Sequence, residues 1–227
     1  MLSLKRKFLR GLIALVLGMM TRSKVDGLQK LRAVQGKAIV ASNHLGRLDA
    51  GFAFRLVKRS DVIIVVAEKY RDYSIYRWFV KQLDLLWLER FESDFGTLRE
   101  VIRRLTKGGI LLVAPEGTRS TTEALIEGKP GVAYLASKSG AQVIPVAITG
   151  TEDRLVKASF AKLRRPKVKI IVGEPFIIPP LPKQDRDIFL RTQTDELMSR
   201  IAVLLPKSHR GVYVDHPRVL ELLSLSG

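Results

Sequence analysis

No cysteine occurs anywhere in the 227 residues. Disulfides, thiolate metal sites and cysteine nucleophiles are therefore excluded. Histidine is scarce, with three in the chain, and none stands in a His-Glu-x-x-His or comparable metal-ligand spacing. A Gly-x-Ser-x-Gly elbow is missing as well: Ala136-Ser137-Lys138-Ser139-Gly140 lacks the first glycine. Acidic residues are few beside basic ones, 22 Asp+Glu against 39 Lys+Arg, a formal charge of +17. Such an excess calls for an anionic partner: nucleic acid, an acidic carrier protein or an anionic membrane surface. The apolar run from Gly11 to Met20 reaches roughly 15 Å as a helix, half of a ~30 Å hydrocarbon core, and cannot span it.

Hydrophobic residues make up 46% and charged residues 27%, the balance of a folded globular chain. The length suits one α/β domain with a substantial core. Apolar runs at 37–41, 62–67, 85–88, 110–114, 142–149 and 167–172 read as strands. Helical patterns at 48–58, 73–83, 94–107, 131–139 and 185–205 alternate with them. Most of the strands are continuously apolar, so the expected fold is α/β, with a mostly parallel central sheet flanked by helices. Reactive segments belong at the carboxyl ends of such strands. No internal repeat or low-complexity tract divides the chain.

Two polar segments directly follow strand-like runs: Asn43-His44-Leu45-Gly46-Arg47-Leu48-Asp49 and Pro115-Glu116-Gly117-Thr118-Arg119-Ser120. On one continuous helix, His44 and Asp49 would stand roughly 140° apart. They meet only if the chain turns between them, which Gly46 makes easy. A carboxylate against the ring fixes the tautomer and supports an imidazolium, as a general base requires. The second segment offers Thr118, Arg119, Ser120 and the Gly117 backbone, a set suited to holding a phosphate. Lys129 follows the same loop, either adding charge to the site or standing solvated at the surface. His209 and His216 read as surface residues.

Together these segments resemble the glycerolipid acyltransferase family, whose best-known member is 1-acylglycerol-3-phosphate acyltransferase. The likeness runs from about Gly36 to Gly211. Leu85-Leu86-Trp87-Leu88-Glu89-Arg90 resembles the second family block, with Gln82-Leu83-Asp84 where the family has a glycine, and Val143-Ile144-Pro145-Val146 resembles the fourth. The resemblance implies His44 and Asp49 as catalytic residues. It implies that the Glu116, Gly117, Thr118, Arg119 segment, with Arg90, binds the acceptor's phosphate. Glu116 would repel a phosphate, so its expected role is to position Arg119 or the backbone around it. With no cysteine and no serine elbow, direct transfer fits better than a covalent acyl-enzyme. His44 would take a hydroxyl proton, the oxygen would attack an acyl thioester, and backbone N–H groups near the 43–49 turn would hold the oxyanion. The expected acceptor is 1-acylglycerol-3-phosphate, with glycerol 3-phosphate or another lysolipid as alternatives. The donor is acyl-CoA or an acyl carrier protein thioester, a co-substrate, and no cofactor or metal is expected.

Lys5, Arg6, Lys7 and Arg10 precede the N-terminal apolar run, and Arg22 and Lys24 close it. A signal peptide, a buried core helix and an interfacial helix all have this pattern. No small-x-small cleavage site follows, and cations on both sides favour a helix lying in one leaflet against lipid phosphates. The expected organisation is an interfacial helix over 1–24, an acyltransferase domain over 25–211 and a C-terminal tail over 212–227. The expected location is the cytoplasmic face of a membrane, peripheral or monotopic. A row of Arg99, Arg103 and Lys107, and a cluster at Lys162, Arg164, Arg165, Lys167 and Lys169, suit an anionic membrane, coenzyme A phosphates or an acidic carrier. No nucleic-acid-binding signature is present, so nucleic acid is not an expected partner.

Overall fold

A computed structural model describes residues 4–89 and 94–225. Along the chain run α1 (Leu4–Met20), β1 (Arg22–Asp26), α2 (Leu28–Ala33), β2 (Ala38–Ser42), α3 (Asp49–Leu56) and β3 (Val62–Ala67). These lead to α4 (Ser74–Leu83), β4 (Leu86–Leu88), α5 (Phe95–Thr106), β5 (Ile110–Val113), α6 (Gly131–Ser139) and β6 (Gln142–Thr149). The chain ends with α7 (Asp153–Ala161), β7 (Lys167–Val172), β8 (Phe176–Ile177), α8 (Arg186–Ala202) and α9 (Pro217–Ser224).

The strands form one sheet in the order β1-β7-β6-β2-β5-β3-β4, with β8 on β6. Pairing is parallel except where β6 meets β7 and β8. The fold is therefore the α/β type expected, a mostly parallel central sheet flanked by helices. Alternation along the strands divides the core into two layers. Ile39, Ala41, Ile63, Leu111, Val143 and Ala147 face one side, against α5, α6, α8 and α9. Val40, Ile110, Leu112, Ile144, Val146 and Ile148 face the other, against α1, α2 and α3. The valine, leucine and isoleucine side chains so enclosed contribute roughly 1.5–3 kcal/mol each relative to exposure.

Local signals set the helix ends. Asp94 caps α5 by accepting the Thr97 N–H at 2.8 Å, and Gly140 closes α6 in the left-handed region at φ 62°. The helix after β2, α3, packs on one face of the sheet, whereas the helix after β5, α6, packs on the other. Neighbouring parallel strands whose following helices part in this way leave a crevice between their carboxyl ends. Both polar segments open into it.

Two expectations change. The first strand is not at 37 but is β1, whose Arg22 and Val25 pair with Lys167 and Ile170, so a boundary after residue 24 cuts a sheet strand. The segment expected as a tail is folded: Tyr213 and Val219 are buried in the core, and α9 packs on α8. Among the described residues, no helix is long and apolar enough to cross a membrane.

Candidate active site

β2 and β5 lie side by side, Ala41 opposite Val113, so the residues that follow them are delivered to one place. The turn after β2 is fixed from three directions. Asn43, buried, donates from its amide to the Ile148 carbonyl at 2.8 Å and accepts the Ile148 N–H at 2.7 Å, extending the ladder to β6. The His44 N–H donates to Glu116 Oε1 at 2.8 Å. The His44 carbonyl accepts the Ser120 N–H at 2.9 Å. Gly46 lies so close to the 150–153 segment that a Cβ there would fall 1.7 Å from the Thr151 carbonyl oxygen.

The turn brings the ring and the carboxylate together. His44 Nδ1 lies 2.9 Å from Asp49 Oδ2, an oxygen that also accepts the Leu45 and Gly46 N–H groups at 2.8 and 2.9 Å. Asp49 opens α3 and is buried, while the His44 side chain stays 26% exposed. Two backbone N–H groups and the start of α3 hold this carboxylate against the ring. Its demand for a proton at Nδ1 leaves Nε2 as the nitrogen with the free lone pair. Asp49 Oδ1 is buried with no hydrogen-bond partner.

Glu116 is 1% exposed. Its second oxygen accepts the Ile126 N–H at 3.1 Å, so the carboxyl ties the histidine turn to the loop after β5. Burial pushes its pKa up to about 7, against the pull of the two backbone N–H groups and of His44. Gly117 takes the left-handed region at φ 69°, and its open side is covered by the Lys129 side chain. Arg119 turns to Asp153, Nη1 to Oδ2 at 2.9 Å. The same carboxylate accepts the Arg47 N–H at 3.1 Å and lies 3.5 Å from Arg47 Nε. Two guanidinium groups thus share one carboxylate beside the histidine turn, an excess of positive charge there. Thr118 is exposed.

Beneath the turn opens a cavity of about 280 Å³, lined by His44, Asp49, Gly117 and Lys129 and walled by Val40, Ile64, Leu88 and Leu112 among others. Its lining combines these polar groups and Glu89 with a larger set of aliphatic side chains. Among the described residues no group of three or more His, Asp or Glu is arranged to hold a metal ion.

His44 and Asp49 meet as the turn-requiring spacing predicts, and Glu116 does position backbone, though that of His44 and Ile126 rather than Arg119. Lys129 lines the cavity. Arg90 lies outside the described residues. The Ser120 hydroxyl, expected near phosphate, is turned to Thr122 and Ala124 of its own loop. The backbone N–H groups of residues 44–47, expected to serve an oxyanion, are each committed to a carboxylate. His209 and His216 are not free surface side chains. His209 Nε2 lies 2.9 Å from the buried Glu152, and His216 Nδ1 accepts the Arg218 N–H at the start of α9. Sequence reasoning missed Asp153, which reaches the site from far along the chain with no local signal. It also passed over Arg47, whose place inside the first segment was signal enough.

Comparison with known proteins follows the same lines. The chain is 26% identical over 159 residues to a chloroplastic 1-acyl-sn-glycerol-3-phosphate acyltransferase of Arabidopsis thaliana, 66% of this chain and 42% of the relative. It is 23% identical over 162 residues to a chloroplastic enzyme of the same description from Brassica napus, 68% of this chain and 45% of the relative. The chain thus spans less than half the length of these plant relatives. The crystal structure of the 1-acyl-sn-glycerophosphate acyltransferase PlsC from Thermotoga maritima matches its fold with a TM-score of 0.61 at 23% identity, over 86% of this chain and 82% of that one. The acyltransferase family model matches residues 22–149, more than half of the 227 residues and both polar segments of the site, and the chain belongs to the acyltransferase family.

Proposed function

We propose that this chain transfers a fatty acyl group from a thioester to the free hydroxyl of 1-acylglycerol-3-phosphate, forming phosphatidic acid. The observation that carries the reading is the His44–Asp49 pair, 2.9 Å apart, in the wall of a cavity lined largely by aliphatic side chains. His44 Nε2 takes the hydroxyl proton as the oxygen attacks the thioester carbonyl. Asp49 supports the imidazolium so formed. The tetrahedral intermediate collapses, the C–S bond breaks, and the imidazolium returns its proton to the departing thiolate. The aliphatic wall accepts a hydrocarbon chain, and Arg119, Arg47 and Lys129 supply the positive charge that a phosphate head group requires.

The thioester of coenzyme A or of an acyl carrier protein serves as co-substrate. The relatives named above are described as enzymes of this acceptor, which favours it over glycerol 3-phosphate. We place the chain at the cytoplasmic face of a membrane, held peripherally by α1. Phe8, Leu12, Leu15, Val16 and Met19 recur there at three- and four-residue intervals and are exposed, an apolar stripe opposite the inward-facing Leu17. The test offers purified protein 1-acylglycerol-3-phosphate, glycerol 3-phosphate and a lysolipid with a neutral head group, each with both donors, and reads products by mass spectrometry. Phosphatidic acid as the dominant product supports the reading, and preference for either other acceptor replaces it.

A further inference from the structure

Aromatic residues make up only 7% of the chain, yet three of its five tyrosines and one of its two tryptophans fall between Tyr70 and Trp78. They are not core residues. Tyr73 is 59% exposed, Ile75 56%, Tyr76 41% and Trp78 48%. The rings lie against one another: Tyr70 stacks on Tyr76 with centroids 4.8 Å apart, Tyr73 meets Tyr76 edge-on at 6.2 Å, and Trp78 meets Phe79 at 5.1 Å. α4 spends its inner face on Val80 and Leu83, which are buried, so the rings are not there to hold the helix in place. An exposed cluster of this kind signals a partner.

The chemistry of the cluster identifies that partner. Tyrosine and tryptophan combine an apolar body with a polar tip, the composition that settles at the boundary between head groups and acyl chains. Lys69, Arg71, Arg77 and Lys81 are interleaved with Glu68 and Asp72, a net positive charge that complements lipid phosphates. α4 packs against α1, whose Phe8, Leu15 and Met19 are exposed in turn. The segment is also joined to the site at both ends. It leaves β3 after Ala67 and returns through Leu88 and Glu89, and all three line the cavity that holds His44.

We propose that residues 70–79 are a lipid-interface contact, separate from α1, that seats the cavity mouth at the surface of an anionic bilayer. A lysolipid then reaches His44 without leaving the bilayer surface. The proposal rests on the reading of the acceptor as a lipid.

Trp78 itself reports the contact. In a Trp87→Phe variant it is the sole tryptophan. Vesicles of anionic phospholipid with brominated acyl chains should then remove about half or more of its emission, the loss expected for an indole at the acyl boundary. Adding Tyr73→Ser and Ile75→Ser, both at exposed positions, should weaken vesicle binding about tenfold or more, the removal of two apolar contacts. Turnover of a soluble short-chain acceptor should stay within about twofold, because neither residue lines the cavity. Vesicle binding with Trp78 unquenched overturns the proposal, as does a double variant that binds like its parent. An emission change on adding an acidic acyl carrier protein, with none on adding vesicles, overturns it in favour of a protein partner. Quenching without turnover would leave the lipid contact standing and remove the assigned reaction, while turnover with unquenched Trp78 would do the reverse.

Discussion

At the scale of single residues, the site depends on carboxylates that do different work in similar settings. Asp49 holds the ring, and its charge is what the ring needs. Asp49→Asn leaves an amide that can favour the wrong imidazole tautomer, so transfer should drop steeply while the melting temperature changes little; an unchanged rate would make Asp49 purely structural. Glu116 instead joins two loops, and burial raises its pKa from 4.5 to about 7. Its folded-state pKa is thus above its unfolded value. The stability it contributes is fully present below about pH 4.5 and is lost as pH rises towards 7, at up to ~1.4 kcal/mol per pH unit. Glu116→Gln cannot ionise, and its single amide oxygen can accept only one of the two backbone N–H groups, a cost of roughly 1–3 kcal/mol. The melting temperature of the parent should therefore fall relative to that of the variant as pH rises through that window, and a constant difference would contradict the assignment. Asp153 anchors Arg47 and Arg119 at a site 37% exposed. Asp153→Asn should raise the acceptor KM by about fivefold at most, the effect of ~1 kcal/mol, with kcat nearly unchanged; steady-state kinetics varying the acceptor alone would show it. The pairing of His44 with Asp49 was legible because both residues lie within one turn and their spacing forbids a straight helix. Asp153 was not legible, because its contacts join residues that only tertiary packing brings together.

At the scale of elements, the strands rich in apolar residues could be read directly, and β1, which is poor in them, could not. β1 reads Arg-Ser-Lys-Val-Asp. It is an edge strand half open to water, so its sequence carries charge where a central strand carries valine and isoleucine. α7 escaped notice because it has no buried residue, leaving little apolar period to detect. The place of β1 decides how α1 can be tested. Deleting residues 1–24 would remove Arg22, Ser23 and Lys24 of the five-residue β1 along with α1, so loss of the fold would say nothing about lipid. Substituting Leu12, Leu15 and Met19 together by Gln leaves β1 whole and removes three exposed apolar contacts, each worth on the order of 1 kcal/mol at an interface. Cosedimentation with anionic vesicles should fall at least tenfold at unchanged thermal stability. Undiminished binding would move the lipid contact away from α1.

At the scale of the whole molecule, the sheet and its two core layers were legible in outline, since alternating apolar strands and helices admit few other architectures. What could not be read was which distant segments close the core. Residues 212–225 look like an appendage in sequence, yet Tyr213 and Val219 are among the most deeply buried side chains. Truncation after Gly211 strips both from the layer under α8 and should cost well over 3 kcal/mol, enough to lower the melting temperature by more than 5 °C. The placement of the crevice, by contrast, follows from strand order alone: β2 and β5 are neighbours, and the helices after them part to opposite faces. The central claim is that His44, in that crevice, deprotonates the hydroxyl of a lysophosphatidic acid that attacks a thioester. Its most direct measurement is the rate of phosphatidic acid formation by the parent and by His44→Ala, with 1-acylglycerol-3-phosphate and a thioester donor, both proteins shown to be folded by circular dichroism. The account predicts product from the parent and a loss on the order of 10² to 10⁴ in the variant. Turnover by His44→Ala within a few-fold of the parent, or no phosphatidic acid from the parent with either donor, would contradict it.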